Sequence, residues 1–188
     1  MSQDRELVEA VLAGRPGAFE RLVREHQALC WHIVHRMVRD AEDARDICQE
    51  AFLRVHRYLR QYRYESSLKT WIGRIAYSTA ARHLERRQLP LAAVAPDEDA
   101  PAPLDTVDSG FDLEAAWADR ELVGRLREAI DALPPLLRTL VTLYHLEELS
   151  IPEIAQTTGL APGTIKSHLF RSRVRLRAAI DTPTGVAV

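Results

Sequence analysis

Apolar residues recur every three or four positions along most of this chain, the spacing that lines one face of a helix. The clearest run extends from Asp40 to Leu59, where Ala44, Ile47, Cys48, Ala51, Phe52, Val55 and Leu59 share a side. Asp40 is placed to accept backbone N–H groups at its start, and Glu42 and Asp43 suit the positive end of the helix dipole. An earlier segment, Phe19 to Val38, repeats the pattern through Leu22, Val23, Leu29, Ile33, Val34 and Met37. A third, Leu68 to Leu84, follows the polar interval Glu65-Ser66-Ser67. No alternating strand pattern competes with these runs, so the expected fold class is all-α.

The pattern breaks after Arg87. Between Pro90 and Asp112 stand Pro90, Pro96, Pro101 and Pro103 together with Asp97, Glu98, Asp99, Asp105, Asp108 and Asp112, without a Lys or Arg. Prolines that lack N–H groups and carboxylates that repel one another disfavour a packed core. The expected organisation is therefore two small helical domains, 1–88 and 113–181, joined by an acidic linker at 89–112 and followed by a frayed tail at 182–188. In the second domain one helix runs from Leu113 to Leu133 and is stopped by Pro134-Pro135. Helices Leu136 to Leu146, Ile151 to Thr158 and Pro162 to Ile180 follow.

Composition narrows the function classes. A hydrophobic fraction of 46% over 188 residues argues against wholesale disorder. The net charge of −2 means that any nucleic-acid surface must be a local basic patch. Cys30 and Cys48 are too few for a disulfide scaffold, and the charged N-terminus carries no signal-peptide core, so a cytoplasmic location is expected. No apolar run reaches the about 18 residues that span a bilayer.

Residues 150–180 read as a helix-turn-helix. Ser150 and Glu153 have capping-box spacing, and Pro152 falls in the first turn. Ile151, Ile154 and Ala155 form the buried side, Gly159 supplies positive φ at the helix end, and Ile165 and Leu169 point back to the core. Lys166, Ser167, His168, Arg171, Arg173, Arg175 and Arg177 crowd the second helix, and no acidic residue follows until Asp181. Its N-terminal side chains suit base edges in a major groove, and the later arginines suit phosphates.

The first domain offers two further surfaces. Asp43, Asp46, Gln49, Glu50 and Arg54 make a polar face that spacing alone leaves open between docking a basic partner and simple solvation. Downstream, Tyr58, Tyr62, Tyr64, Trp71 and Tyr77 interleave with Arg57, Arg60, Arg63, Lys69, Arg74, Arg82, Arg86 and Arg87. Aromatic faces beside cations suit unstacked bases and their phosphates; a core role for Trp71 and Tyr77 is the lesser alternative. Two other readings compete. An ordinary dimeric helix-turn-helix regulator accounts for 150–180 but not for the aromatic-basic segment. A metal site built from His26, Cys30 and Cys48 lacks a zinc spacing, so neither metal nor cofactor is expected. No catalytic triad, phosphate-cradling glycine loop or carboxylate pair points to an enzyme.

Taken together these segments resemble the extracytoplasmic-function (ECF) group of the sigma-70 family, over roughly 10–87 and 121–180. Asp40-Ala-Glu-Asp and Asp46-Ile-Cys-Gln-Glu-Ala-Phe-Leu-Arg-Val resemble the family's polymerase-binding helix. Glu65-Ser-Ser-Leu-Lys-Thr-Trp-Ile-Gly-Arg-Ile-Ala resembles its promoter-melting segment. Leu133-Pro-Pro, Leu149-Ser-Ile-Pro-Glu-Ile-Ala and Gly163-Thr-Ile-Lys-Ser-His-Leu-Phe-Arg-Ser-Arg resemble its final domain. The resemblance implies a sigma factor whose Asp46, Gln49 and Glu50 grip the clamp helices of the largest subunit of core RNA polymerase. It implies that Arg63, Tyr64, Glu65, Ser66 and Ser67 hold a base flipped from the −10 element, with Lys69, Trp71, Arg74, Ser78 and Arg82 on the adjoining helix. Thr164, Lys166, Ser167, His168, Arg171 and Arg175 would meet the −35 element of promoter DNA. An anti-sigma factor would hold the protein inactive. Ser78 and Arg82 stand where the family usually has Asn and Asp, and His168 where arginine is common, so the promoter sequence is not implied.

Overall fold

The computed structural model describes residues 2–87 and 120–181; the expected linker at 89–112, the helix start at 113–119 and the tail at 182–188 lie outside them. The described residues form α-helices, one 3₁₀ turn and no strand, as the periodicity requires. The first group comprises α1 (Ser2–Leu12), α2 (Ala18–Val38), α3 (Ala41–Tyr58), the 3₁₀ turn Leu59–Gln61 and α4 (Leu68–Arg86). The second comprises α5 (Arg120–Ala132), α6 (Pro135–His145), α7 (Ile151–Thr158) and α8 (Pro162–Asp181).

Local chemistry sets the boundaries. Asp40 accepts the N–H groups of Glu42 and Asp43, both at 2.9 Å, and these bonds hold its carboxyl below the ordinary range. Ser67 caps α4 through the Thr70 N–H at 3.1 Å. Ser150 and Glu153 form the expected capping box, and Gly159 ends α7 at φ 78°.

The two groups are not apart. Their apolar interiors merge into one cluster running from Leu22, Ile33 and Met37 to Leu137, Leu140 and Leu143. The reason lies in α2, whose buried positions Leu29, Cys30, Ile33, Val34 and Met37 are too many for a single stripe. One side of α2 covers α3 and α4, and the other packs against α6. Further along, α7 crosses α4, and Gly73 lets it come close. A Cβ on Gly73 would already lie 3.5 Å from the Thr157 methyl and from Ile33 Cδ1. The sequence left the arrangement of the two helical domains open; they lie against each other, because α2 and α4 each carry an apolar face left over once their own bundle is filled.

Polar contacts follow the same seam. Glu147 accepts from His32 Nδ1 at 2.6 Å and pairs with Lys69 Nζ at 3.1 Å, while Lys69 also donates to the Glu147 carbonyl at 2.8 Å. Arg36 meets Asp131 at 2.7 Å. Arg138 fits less comfortably. It is buried, its Nε finds no partner, and its Nη1 reaches only the Asp131 carbonyl at 3.3 Å. Burial, with Arg39 and Arg36 nearby, pushes its pKa down to about 10.

Candidate nucleic-acid interface

Residues 62–67 leave the 3₁₀ turn as a tight loop that α1 holds from behind. Asp4 Oδ2 accepts the Leu68 N–H at 3.0 Å, and the Arg5 guanidinium sits 5.2 Å over the Tyr64 ring. Tyr64 takes φ 59°, a left-handed conformation that costs a tyrosine on the order of 1 kcal/mol and persists only because the loop is tied at both ends. Tyr62 donates its hydroxyl to the Ser66 carbonyl at 2.6 Å. Burial, and after it Asp4, raises its pKa to about 12, so it stays a neutral donor.

The loop and α4 line a cleft of 380 Å³, walled by Gln61, Tyr62, Arg63, Glu65, Ser66, Thr70, Trp71 and Arg74 and closed on one rim by Gln156 of α7. A partly apolar, partly polar cleft of this size suits one small planar group. Trp71 is half-buried with its ring 5.3 Å from Tyr62, and Tyr62 lies 4.6 Å from Tyr64. Of the expected aromatic row, Tyr62 and Tyr77 are buried and belong to the core, whereas Tyr64 and Trp71 keep a face outward. Arg63, Glu65, Arg74, Ser78 and Arg82 are exposed. Ser78 turns its hydroxyl back to the Ile75 carbonyl at 3.0 Å, a local bond common for helical serines. Among the expected cations of this segment, Lys69 is tied up by Glu147 across the seam.

On α3, Asp46 and Gln49 are exposed, and Glu50 is half-buried and held by Arg54 Nε at 2.9 Å. Asp43 belongs elsewhere: Arg87 clamps it with two bonds of 2.7 and 3.1 Å, fastening the end of α4 to the start of α3. That arginine is therefore a strut as well. Periodicity overlooked Leu53, which is 63% exposed and lies one turn from Gln49 and Glu50. Its signal was present, since it falls out of phase with the buried stripe of α3.

In the second group Ile154, Ile165, Leu169, Leu176 and Ile180 are buried. Ile151 and Ala155, expected inside, are only half-buried, while Ile154 and Thr157 fill the buried side of α7. Thr164, Lys166 and Arg175 are exposed, and Ser167, His168 and Arg171 are half-buried. Burial, then Arg171, lowers the pKa of His168 and favours a neutral ring. The basic row is not uniform. Arg173 packs over the Tyr144 ring at 6.0 Å, and Arg177 pairs with Asp181 at 3.4 Å.

Two family profiles match this chain: Sigma-70 region 2 over residues 22–89 and Sigma-70 region 4 over residues 124–176. The RNA polymerase sigma-H factor of Pseudomonas aeruginosa is 35% identical over 95% of this chain and 94% of its own length. The ECF RNA polymerase sigma-E factors of Haemophilus influenzae and Escherichia coli K12 are 35% and 34% identical, over 95% and 90% of this chain and of their own lengths. The chain belongs to the ECF group of the sigma-70 family. It is an alternative sigma factor.

Solved structures agree on the fold. CnrH, in complex with the cytosolic domain of CnrY, aligns with a TM-score of 0.63 at 21% identity, over 95% of this chain and 97% of that one. RpoE of Bartonella quintana, solved with the anti-sigma factor NepR, aligns at 0.60 and 20% identity, over 88% and 98%. Family membership sets aside the plain helix-turn-helix regulator. Among the described residues no helix is long and apolar enough to cross a membrane, and no three His, Cys, Asp or Glu side chains form a group that could hold a metal ion.

Proposed function

We propose that this sigma factor recruits core RNA polymerase to promoters through three surfaces, in the cytoplasm and without covalent chemistry of its own. Asp46, Gln49 and Glu50, with Leu53 at their centre, dock on the clamp helices of the largest polymerase subunit. The cleft behind residues 63–67 receives one extruded −10 base, stacked against Trp71 while Arg63 and Arg74 meet flanking phosphates; Lys69, Ser78 and Arg82 continue that track along α4. Thr164, Lys166, Ser167, His168, Arg171 and Arg175 read the −35 element in the major groove. The domains assigned are 1–88 and 113–181, with 89–112 as linker and 182–188 as tail.

The observation that carries this reading is the cleft: a polar loop, an outward tryptophan and two exposed arginines around 380 Å³. Extruding a base costs a few kcal/mol of unstacking, which a stacking platform and fixed cations can offset.

The closed packing of the two groups is then the silent form. Gln156 stands on the rim of the cleft, and Glu147 occupies the Lys69 ammonium, so the base site and the seam compete for the same side chains. Polymerase docking would open the seam and set the two DNA-reading units at promoter spacing, turning two weak contacts into one strong one. Control by an anti-sigma factor is supported by RpoE having been solved with the anti-sigma factor NepR, and such a partner would act here by favouring the closed form.

Reconstituted transcription with bacterial core polymerase on a randomised promoter library tests the proposal. Initiation dependent on this chain, with enriched sequences near −10 and −35, is the expected result. Absence of any association with core polymerase would overturn it.

A further inference from the structure

The loop that walls the base cleft is fastened from outside its own helix. Leu68 opens α4, and its N–H is one of the donors that a helix start leaves without an internal partner. Ser67, the cap residue, accepts from Thr70 instead, at 3.1 Å. The Leu68 N–H goes to Asp4 Oδ2 at 3.0 Å, across 64 positions of sequence. A carboxylate there also suits the positive end of the α4 dipole. One position further along α1, the Arg5 guanidinium lies 5.2 Å over the Tyr64 ring, and Glu9 meets it from the next turn at 3.6 Å.

Adjacent side chains of a helix point apart, so the two reach separate places on the loop. Asp4 fixes its exit at Leu68, and Arg5 fixes its left-handed turn at Tyr64, where φ is 59°. Glu65 and Ser66 stand between those points and Arg63 just before them, and all three line the cleft. The seating of α1 is the work of other residues. Leu7 and Val8 are buried, whereas Asp4 is half-buried and Arg5 exposed. α1 also lies ahead of residues 22–89, the stretch that the Sigma-70 region 2 profile matches.

We infer that Asp4 and Arg5 are positioning residues for promoter melting, which hold loop 63–67 in the shape that receives the extruded base, a role that rests on the base-capture reading of the cleft. Neither side chain is among the residues that line the cleft, so each acts through the loop. The physical reason is preorganisation. A loop that must become ordered at the moment of capture loses part of the stacking energy to that ordering, and a loop tied in advance does not. The effect falls on the step in which the base leaves the duplex. Docking through α3 and −35 contact through α8 do not depend on it.

The test uses holoenzyme reconstituted from bacterial core polymerase and the full chain, on a promoter selected from the randomised library. Open-complex formation is followed by permanganate reactivity across holoenzyme concentrations. Asp4→Ala should lower the rate constant at saturation about tenfold, the effect of one lost hydrogen bond to a charged group. The half-saturating concentration, core affinity and cooperative unfolding should stay at their wild-type values. Asp4→Asn, whose amide oxygen still accepts the Leu68 N–H, should recover most of the rate. Arg5→Ala should slow the same step about threefold, as suits an exposed cation over a ring.

Abasic substitution along the −10 non-template strand, one position at a time, separates positioning from general support of the fold. At the captured position the abasic template slows the wild type, and Asp4→Ala then adds no further deficit. At the other positions the deficit remains. A wild-type rate in Asp4→Ala, or a deficit that persists at every abasic position, overturns the assignment and leaves base capture standing. A wild type indifferent to every abasic position sinks base capture itself, and the role of Asp4 and Arg5 with it.

Discussion

Replacing Glu147 with glutamine asks directly whether the seam between the two helical groups restrains the sigma factor. The carboxylate is 11% exposed and receives His32 at 2.6 Å and Lys69 at 3.1 Å. Burial alone would raise its pKa, but the His32 and Lys69 bonds more than offset this and hold it below the ordinary 4.5. Glutamine keeps the shape and one acceptor while removing the charge. A hydrogen bond to a charged group contributes about 1.5–3 kcal/mol in a protected setting. His32 and Lys69 are 34% and 39% exposed, so solvent reduces each contact to roughly 1 kcal/mol. The seam should weaken by about 2 kcal/mol, which moves the closed-to-open ratio about thirtyfold.

Two polymerase-free measurements read this out. Small-angle scattering should give a larger radius of gyration for Glu147→Gln than for the wild type. Fluorescence anisotropy with a forked −10 duplex should show tighter, more salt-sensitive binding by the variant, because Lys69 is released. The pH dependence follows from the depressed carboxyl. Its contribution to closure is complete above the ordinary value of 4.5 and disappears as pH falls through the lowered one, so acid should open the wild type and leave the variant unaffected. Identical scattering and identical DNA affinity, with cooperative unfolding retained in both proteins, would refute the idea that this contact restrains the chain.

Other substitutions probe separate parts of the account. Leu53→Ala should weaken core polymerase binding by about 1–2 kcal/mol, measured by calorimetry, with thermal stability unchanged because the side chain is exposed. Trp71→Ala should slow open-complex formation, followed by permanganate footprinting, by the about 1–3 kcal/mol of a lost stacking platform, and leave −35 binding intact. Arg171→Ala should reduce transcription from the cognate promoter without affecting polymerase association; equal loss of both would indicate misfolding. Arg138→Met should raise the melting temperature, gaining on the order of 1 kcal/mol, because it removes a buried cation whose Nε has no partner. A fall in melting temperature would show that the Asp131 carbonyl contact outweighs desolvation.

Much of the candidate machinery was legible in the order of residues because its determinants are local. The Asp40 and Ser150 caps, the Gly159 turn and the buried Ile165 and Leu169 each depend on neighbours within one helical turn. The cleft loop was marked by the family resemblance, and the polar interval Glu65-Ser66-Ser67 marked where α4 begins, at the Ser67 cap. Tyr62 misled, since aromatic-basic interleaving is shared by a stacking surface and a half-buried helix, whereas Tyr77 took the core place that the sequence left open to it. Asp4 and Arg5, which support the loop, left no local trace, because their partners Leu68 and Tyr64 lie 59 or more residues away.

By itself the sequence determined α2, α3, α4 and the helices of the helix-turn-helix, the basic face of its second helix and the family, all of which rest on spacing along one chain. Only the tertiary structure decided that α2 serves two bundles and that Glu147 holds Lys69. Those outcomes depend on which apolar faces remain unfilled after each bundle forms. That is a property of packing in three dimensions, and no local period encodes it.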